Sequence, residues 1–177
     1  IRHGFSSVMV DASRFPLEEN IAKTKLIVDI AHSVDVSVEA ELGKIGGTED
    51  HIVVSEREAT FTDPDEAVSF IKKTGVDSLA IAVGTAHGVY KGEPKLDFDR
   101  IKTIKGMTNI PLVLHGSSGV PEESIKNAVY LGINKINIDT DIRAAFAQGV
   151  KDFLKENPDN IDPRKILGPA RLRMKEI

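Results

Sequence analysis

Pro111-Leu112-Val113-Leu114-His115-Gly116-Ser117-Ser118-Gly119 reads as a short apolar strand that ends in a histidine and turns at once through glycine and serine. An apolar run of this length bounded by turn residues fits a strand buried on both faces. Such a strand has no room for chemistry along its length, and ligands gather at its carboxyl end in barrels and open α/β sheets alike. His115 is therefore the first candidate site residue.

Working outward, four more stretches read as strands. They are residues 7–13, 36–42 and 78–83 upstream and 135–140 downstream. Helices are expected between them. One covers Leu17 to His32, with Ile21, Ile27, Val28 and Ala31 at helical spacing; a second covers Asp65 to Thr74 behind Pro64. Further helices are expected at about Asp97 to Lys105, from Pro121-Glu122-Glu123 to Gly132, and from about Asp141 to Glu156, with a short basic helix in the tail. Proline and acids suit a first helical turn, and glycine suits the end. Residues 43–62 hold Gly46-Gly47 and many charges and read as a long loop, whereas Ile1 to Gly4 reads as the end of a helix.

Strand and helix in alternation, without hairpin signals, argue for parallel βαβ units. Two architectures remain, a doubly wound sheet and a (β/α)₈ barrel. A complete barrel needs roughly 250 residues, and five units occupy all 177 here. The barrel reading thus expects about three further units upstream, with residues 1–177 a single domain that lacks the first strands.

Composition narrows the function classes. The chain is 41% hydrophobic and 28% charged with a formal net charge of -4, the balance of a globular protein. No basic stripe suggests nucleic acid or an anionic membrane surface, and no apolar run approaches a membrane span. With no cysteine, disulfides, thiolate metal sites and cysteine nucleophiles are excluded, in keeping with a cytoplasmic protein.

Side chains alternate across a strand, which sorts the polar residues onto one face. Glu39 and Glu41 oppose Val38, Ala40 and Leu42; Asn137 and Asp139 oppose Ile136 and Ile138. Asp11 falls with Met9, and His115 with Val113. His87 repeats the pattern of His115, an apolar strand followed by His-Gly. Two imidazoles at strand ends with carboxylates on neighbouring strands suit a catalytic divalent metal such as zinc. The Gly116-Ser117-Ser118-Gly119 turn before a helix suits an anion, and in a barrel it would share the common phosphate site with the end of the 137–140 strand.

Five segments together closely resemble the class II, zinc-dependent ketose-bisphosphate aldolases. They are residues 7–13, Val38-Glu39-Ala40-Glu41-Leu42-Gly43 with Gly46-Gly47, Gly84-Thr85-Ala86-His87-Gly88-Val89-Tyr90-Lys91-Gly92, Leu114 to Gly119, and Asn137-Ile138-Asp139-Thr140-Asp141. The resemblance runs over nearly the whole chain in the family's order. It implies a TIM (β/α)₈ barrel of which the chain supplies about the last five βα units, and a homodimer or homotetramer serving glycolysis or related carbohydrate metabolism. The implied lyase reaction is reversible cleavage of fructose or tagatose 1,6-bisphosphate into dihydroxyacetone phosphate and glyceraldehyde 3-phosphate through a zinc-stabilised enediolate.

Carried over by motif, His87 and His115 would be two of three zinc ligands, with Glu41 and Asp11 near the metal or at an alternative metal position. Glu49 would transfer protons, and Asp11 is counted with it as catalytic. Gly88, Lys91, Gly116, Ser118, Asn137, Asp139 and Thr140 would hold the dihydroxyacetone phosphate part. A second divalent ion and a monovalent cation also belong to the family's repertoire. The third zinc histidine and its neighbouring aspartate, on a Leu-Asp-His-Gly-type motif, would precede residue 1. The other solution to carbanion chemistry is a Schiff-base lysine, and Lys135, at the amino end of its strand, is expected to lie away from the mouth. Two rival readings stand beside this one: another phosphate-binding barrel enzyme, and an incomplete barrel that binds phosphate without turnover.

Overall fold

A computed structural model of the chain describes residues 1, 3–49, 52–54, 60–88, 90, 92 and 94–177. Five parallel strands form the main sheet, β1 (Ser7–Val10), β2 (Ser37–Leu42), β5 (Ser78–Ile81), β7 (Leu112–Leu114) and β8 (Ile133–Ile136), neighbours in that order. The helices α1 (Leu17–His32), α2 (Pro64–Thr74), α3 (Phe98–Met107) and α4 (Glu122–Leu131) fall between successive strands of this sheet. This repetition is the βαβ pattern expected from the sequence, with every main-sheet pairing parallel.

Local chemistry sets the helix ends. The Asp63 side chain accepts from the amides of Asp65 and Glu66, Pro64 occupies the first turn of α2, and Gly75 closes it in the left-handed conformation. Asp97 caps α3 through the Arg100 amide at 2.9 Å. These helices pack on one face of the sheet. Val38, Ala40 and Leu42 of β2, Leu79 and Ile81 of β5, and Leu112 and Leu114 of β7 form one core with Val28, Phe70, Ile101, Ile104 and Ala128. The alternate residues, including Glu39 and Glu41, are left for the opposite face.

The register slips once, between β7 and β8. Leu112 pairs with Ile133 but Val113 pairs with Lys135, so Asn134 is an extra residue. Its side-chain oxygen accepts the Leu112 amide at 3.1 Å and keeps the interrupted ladder satisfied. Because of the bulge, Ile133 and Ile136 both serve the core while Lys135 is exposed.

Three expectations of local structure are corrected. Residues 43–62 are not a plain loop: β3 (Gly46–Glu49) and β4 (Ile52–Val54) pair antiparallel, a bridge joins Lys44 to Thr60, and β3 lies parallel to β6 (Ala86–His87). β3 and β4 are local partners, with Glu49 opposite Ile52, but Gly46-Gly47 carries no alternation and the partner β6 comes from a distant segment. At the start of the chain the Gly4 amide donates to the Ile1 carbonyl, with Gly4 at a φ of 81°, a turn and not the end of a helix. The last strand is Ile133–Ile136 and not 135–140: residues 137–139 lie beyond it and Thr140 opens the following helix, because the strand ends where its pairing with β7 ends.

Backbone contacts divide the chain into two compact units, residues 1–137 and 138–177. The second consists of α5 (Thr140–Glu156) and α6 (Pro163–Met174) packed on each other. They meet closely at Gly149, where a Cβ would stand 2.6 Å from the Ala170 Cα, and an Arg173–Asp152 ion pair at 2.7 Å adds to the contact. No helix among the described residues is long and apolar enough to cross a membrane.

Phe70 is fully buried between α2 and the sheet. Phe70→Ala is expected to cost about 3–5 kcal/mol of unfolding free energy. A denaturant midpoint lowered in proportion, at unchanged slope, is the readout.

Candidate metal centre

The polar face of β2 carries the site. Glu39 and Glu41 stand on one side of the strand at 5% and 3% exposure, and His115, just past the end of β7, is 4% exposed. The imidazole lies between the two carboxylates, with Nδ1 at 2.8 Å from Glu41 Oε2 and Nε2 at 2.9 Å from Glu39 Oε1. Lys135 Nζ reaches the other oxygen of Glu39 at 2.8 Å. Ser13 Oγ donates to Glu41 at 3.3 Å, and the Glu41 carbonyl is held by the buried Asn20 amide at 3.1 Å, itself bonded to Thr24.

Burial and pairing compete at each of these groups, and they do not balance alike. Burial alone would lower the His115 pKa, but hydrogen bonds to both carboxylates outweigh it and raise the value to about 9. At neutral pH the ring is therefore an imidazolium that donates from both nitrogens. For Glu39 burial pushes upward, yet the bonds from His115 and Lys135 prevail and hold the carboxyl below its ordinary range. For Glu41 burial prevails over the His115 bond, with the Asp11 charge adding to it, and its pKa is raised. The two carboxylates of one strand face are thus driven apart.

His87 stands at the end of β6, its ring centroid 6.0 Å from that of His115 at an interplanar angle of 41°. Ligand atoms of Glu41, His87 and His115 all lie within 4.8 Å of one another. Two imidazole nitrogens and one carboxylate oxygen form a donor set that suits zinc, and binding would require His115 to give up a proton. The residues present therefore fit a metal in chemistry and in spacing.

Around this cluster the turns are tight. Gly116 has a φ of 64°, and a Cβ there would meet the Ala86 carbonyl oxygen at 2.5 Å. Ser117 and Ser118 are buried, and the Ser117 amide donates to the Asn137 carbonyl at 3.4 Å. Asn137 in turn donates its amide to the Leu114 carbonyl at 3.0 Å, which places the 115–118 turn beside the end of β8. The buried Thr85 hydroxyl is without a hydrogen-bond partner among the described residues.

The structure brings Glu41, His87 and His115 together, and Asp11 is near enough for its charge to act on Glu41. Asp11 Oδ1 also accepts the Ser13 amide at 2.9 Å. Gly88, Gly116, Ser118 and Asn137 belong to the same unit. Glu49 lies in β3 with its side chain outside the described residues, as is Lys91 altogether. Asp139 and Thr140 belong to the second unit, where Asp139 pairs with Arg143 at 2.9 Å. Glu39, Lys135 and Tyr90 were not singled out as site residues from the sequence. The alternation that exposed Glu41 applies equally to Glu39, whereas the reach of Lys135, whose amino-end position suggested distance from the mouth, depends on how the sheet curls.

Comparison with known proteins bears on this geometry. The family model for class-II fructose-bisphosphate aldolase matches residues 1–177. The chain belongs to the class II fructose-bisphosphate aldolase family. Among solved structures it is similar to the YdjI aldolase from Escherichia coli K12, at 42% identity and a TM-score of 0.80, over 99% of this chain and 59% of that one. It is also similar to a candidate fructose-1,6-biphosphate aldolase from Coccidioides immitis, at 27% identity and a TM-score of 0.85, over 96% of this chain and 59% of that one. A fructose-bisphosphate aldolase from Campylobacter jejuni aligns at 29% identity and a TM-score of 0.75, over 98% and 59%. The chain thus spans about three-fifths of these structures, and its sheet is part of a TIM barrel.

The sign of the His115 shift gives a pH dependence for the metal-free protein. Its folded value of about 9 lies above the ordinary 6.5, so the stabilisation is full below pH 6.5 and lost as pH rises through 9. The melting temperature of chelator-treated protein is expected to fall across that window. A flat or rising profile there would contradict the buried imidazolium.

Proposed function

We propose that the chain serves a metal-dependent aldolase that reversibly cleaves a ketose 1,6-bisphosphate, fructose or tagatose, into dihydroxyacetone phosphate and glyceraldehyde 3-phosphate. The observation that carries this reading is the convergence of Glu41, His87 and His115 at the carboxyl ends of parallel strands. His87 and His115 would hold zinc, with Glu41 as the neighbouring or alternative ligand. When bound there, zinc supplies Lewis-acid stabilisation for the negative charge left by breaking a carbon–carbon bond next to a ketone.

The remaining steps belong to the chain's own residues. The Gly116–Ser118 turn and Gly88 would hold the phosphate of the dihydroxyacetone part, with Lys91 as its counter-charge, so that remote binding orients the ketone. Asn137, Asp139 and Thr140 would fix the hydroxyls of that half. Glu49 would move the proton that departs and returns during cleavage and condensation, with Asp11 beside Glu41 as the second catalytic carboxylate. Lys135 is paired with Glu39 at 2.8 Å, an arrangement that serves an ammonium and not a Schiff-base nucleophile.

The same reading includes all 177 residues as one partial-barrel domain, a homodimer or homotetramer, a cytoplasmic setting, and room for a second divalent or a monovalent cation. It rests for these on the resemblance. An incomplete barrel that binds phosphate without turnover remains a rival, favoured by the span of about three-fifths of the related structures.

The test is zinc content together with a coupled assay for triose phosphate release from each bisphosphate, before and after chelation. Cleavage lost with the metal and restored by zinc is the expected result; cleavage that survives chelation would overturn the reading. His87→Ala and His115→Ala are each expected to abolish zinc-dependent cleavage. Asp139→Ala should leave kcat closer to the parent value and raise KM by roughly 10- to 100-fold, the loss of one hydrogen bond to a charged group of ~1.5–3 kcal/mol.

A further inference from the structure

The Tyr90 hydroxyl makes two hydrogen bonds, both to backbone. It accepts the Ala86 amide at 2.7 Å and donates to the Gly116 carbonyl at 2.7 Å. Ala86 immediately precedes His87, and Gly116 immediately follows His115. One phenol therefore joins the main chain beside one histidine to the main chain beside the other.

We infer that Tyr90 is a positioning residue that fixes the separation of His87 and His115 by tying their turns together, an inference that rests on the metal reading of those histidines. Close packing sets the lower limit of that separation. The Gly116 Cα faces the Ala86 carbonyl so closely that a Cβ would stand 2.5 Å from the oxygen, and the two turns can approach no further. The phenol sets the upper limit.

The 115–118 turn is also held to the main sheet, through the Ser117–Asn137 and Asn137–Leu114 backbone bonds and the His115 ring between Glu39 and Glu41, so the phenol ties the less regular 86–87 segment to a fixed one. β6 is two residues long and among the described residues pairs with β3, itself outside the main sheet, and the Ala86 amide is satisfied by Tyr90. Strands so short hold little by themselves. Burial pushes the Tyr90 phenol above its ordinary pKa in spite of the Ala86 amide, so the hydroxyl stays protonated and able both to donate and to accept. The ring also packs toward Gly119, where a Cβ would lie 3.5 Å from Cδ2. Phenylalanine would keep that packing and lose both ties.

The experiment compares Tyr90→Phe with the parent protein and with Ile104→Val, a core change in α3 that lowers stability without touching either turn. Amide exchange at Ala86 and the ring ¹H–¹⁵N signals of His87 and His115 are read first in metal-free protein, followed by zinc affinity from competition titration. In Tyr90→Phe the Ala86 amide is expected to exchange at least about tenfold faster, both ring signals to move, and zinc to bind about 10- to 100-fold more weakly, the range for losing a group that orients metal ligands. Ile104→Val should reproduce none of this. Unchanged exchange and ring signals in Tyr90→Phe, or an equal loss of zinc affinity in Ile104→Val, would overturn the inference. So would fast Ala86 exchange in the unaltered protein, a measurement that needs no variant. Failure of the metal reading shows separately, as parent protein that binds no zinc or His87→Ala that binds it as well as the parent; the metal-free signals still decide the role of Tyr90.

Discussion

Three ionisable side chains, Glu39, Glu41 and His115, are nearly sealed from water on one face of a parallel sheet. Removing a charge from water costs several kcal/mol even after relaxation, and only close partners offset it. The surrounding structure is arranged to supply them. Lys135 crosses from the last strand of the sheet to Glu39, Ser13 reaches Glu41 from the β1–α1 turn, and Asn20 in α1 holds the Glu41 backbone. A one-residue shift of β2 would turn both carboxylates into the helix-packed core, where no partner waits. The buried trio therefore fixes the register of β2, and β2 fixes its neighbours.

The partners are distributed unequally, and the inequality has chemical meaning. Glu39 holds two cationic contacts at 2.8 and 2.9 Å and is kept ionised. Glu41 has the imidazolium on one oxygen, a 3.3 Å hydroxyl on the other and the Asp11 charge nearby, and burial wins. A group left short of positive charge is the one that gains most from a cation. His87 faces that side, so the electrostatic deficit and the geometric cluster of donors coincide at Glu41.

Legibility from the sequence followed the range of the interactions involved. The main-sheet strands and the helices between them were visible because apolar alternation, capping aspartates and terminal glycines are local signals. His115 was visible because it ends a buried run, and His87 because the same His-Gly pair follows the apolar 78–83 stretch by a few residues. The β3–β4 hairpin was not, since Gly46-Gly47 carries no alternation and its pairing to β6 comes from a distant segment. The Lys135–Glu39 pair was not visible for a related reason. The Asn134 bulge determines which face Lys135 takes, and sheet curvature determines that its ammonium meets Glu39 across two intervening strands. Neither is written in the neighbouring residues.

Lys135 also bears on the proposed function, for which a carbanion next to a ketone has two known solutions. A Schiff-base lysine needs its amine uncharged in a desolvated pocket. The lysine on the inner side of this sheet is instead paired to a carboxylate and half exposed. Its charge is used to hold Glu39 ionised, and Glu39 holds one nitrogen of His115. A neutral ring that kept its proton on Nε2 would still donate to Glu39 and would leave Nδ1, on the Glu41 side, able to ligate a metal. Lys135 thus stands where, on the proposed reading, it would support His115 as a ligand through Glu39, the arrangement of a carboxylate–histidine–metal relay.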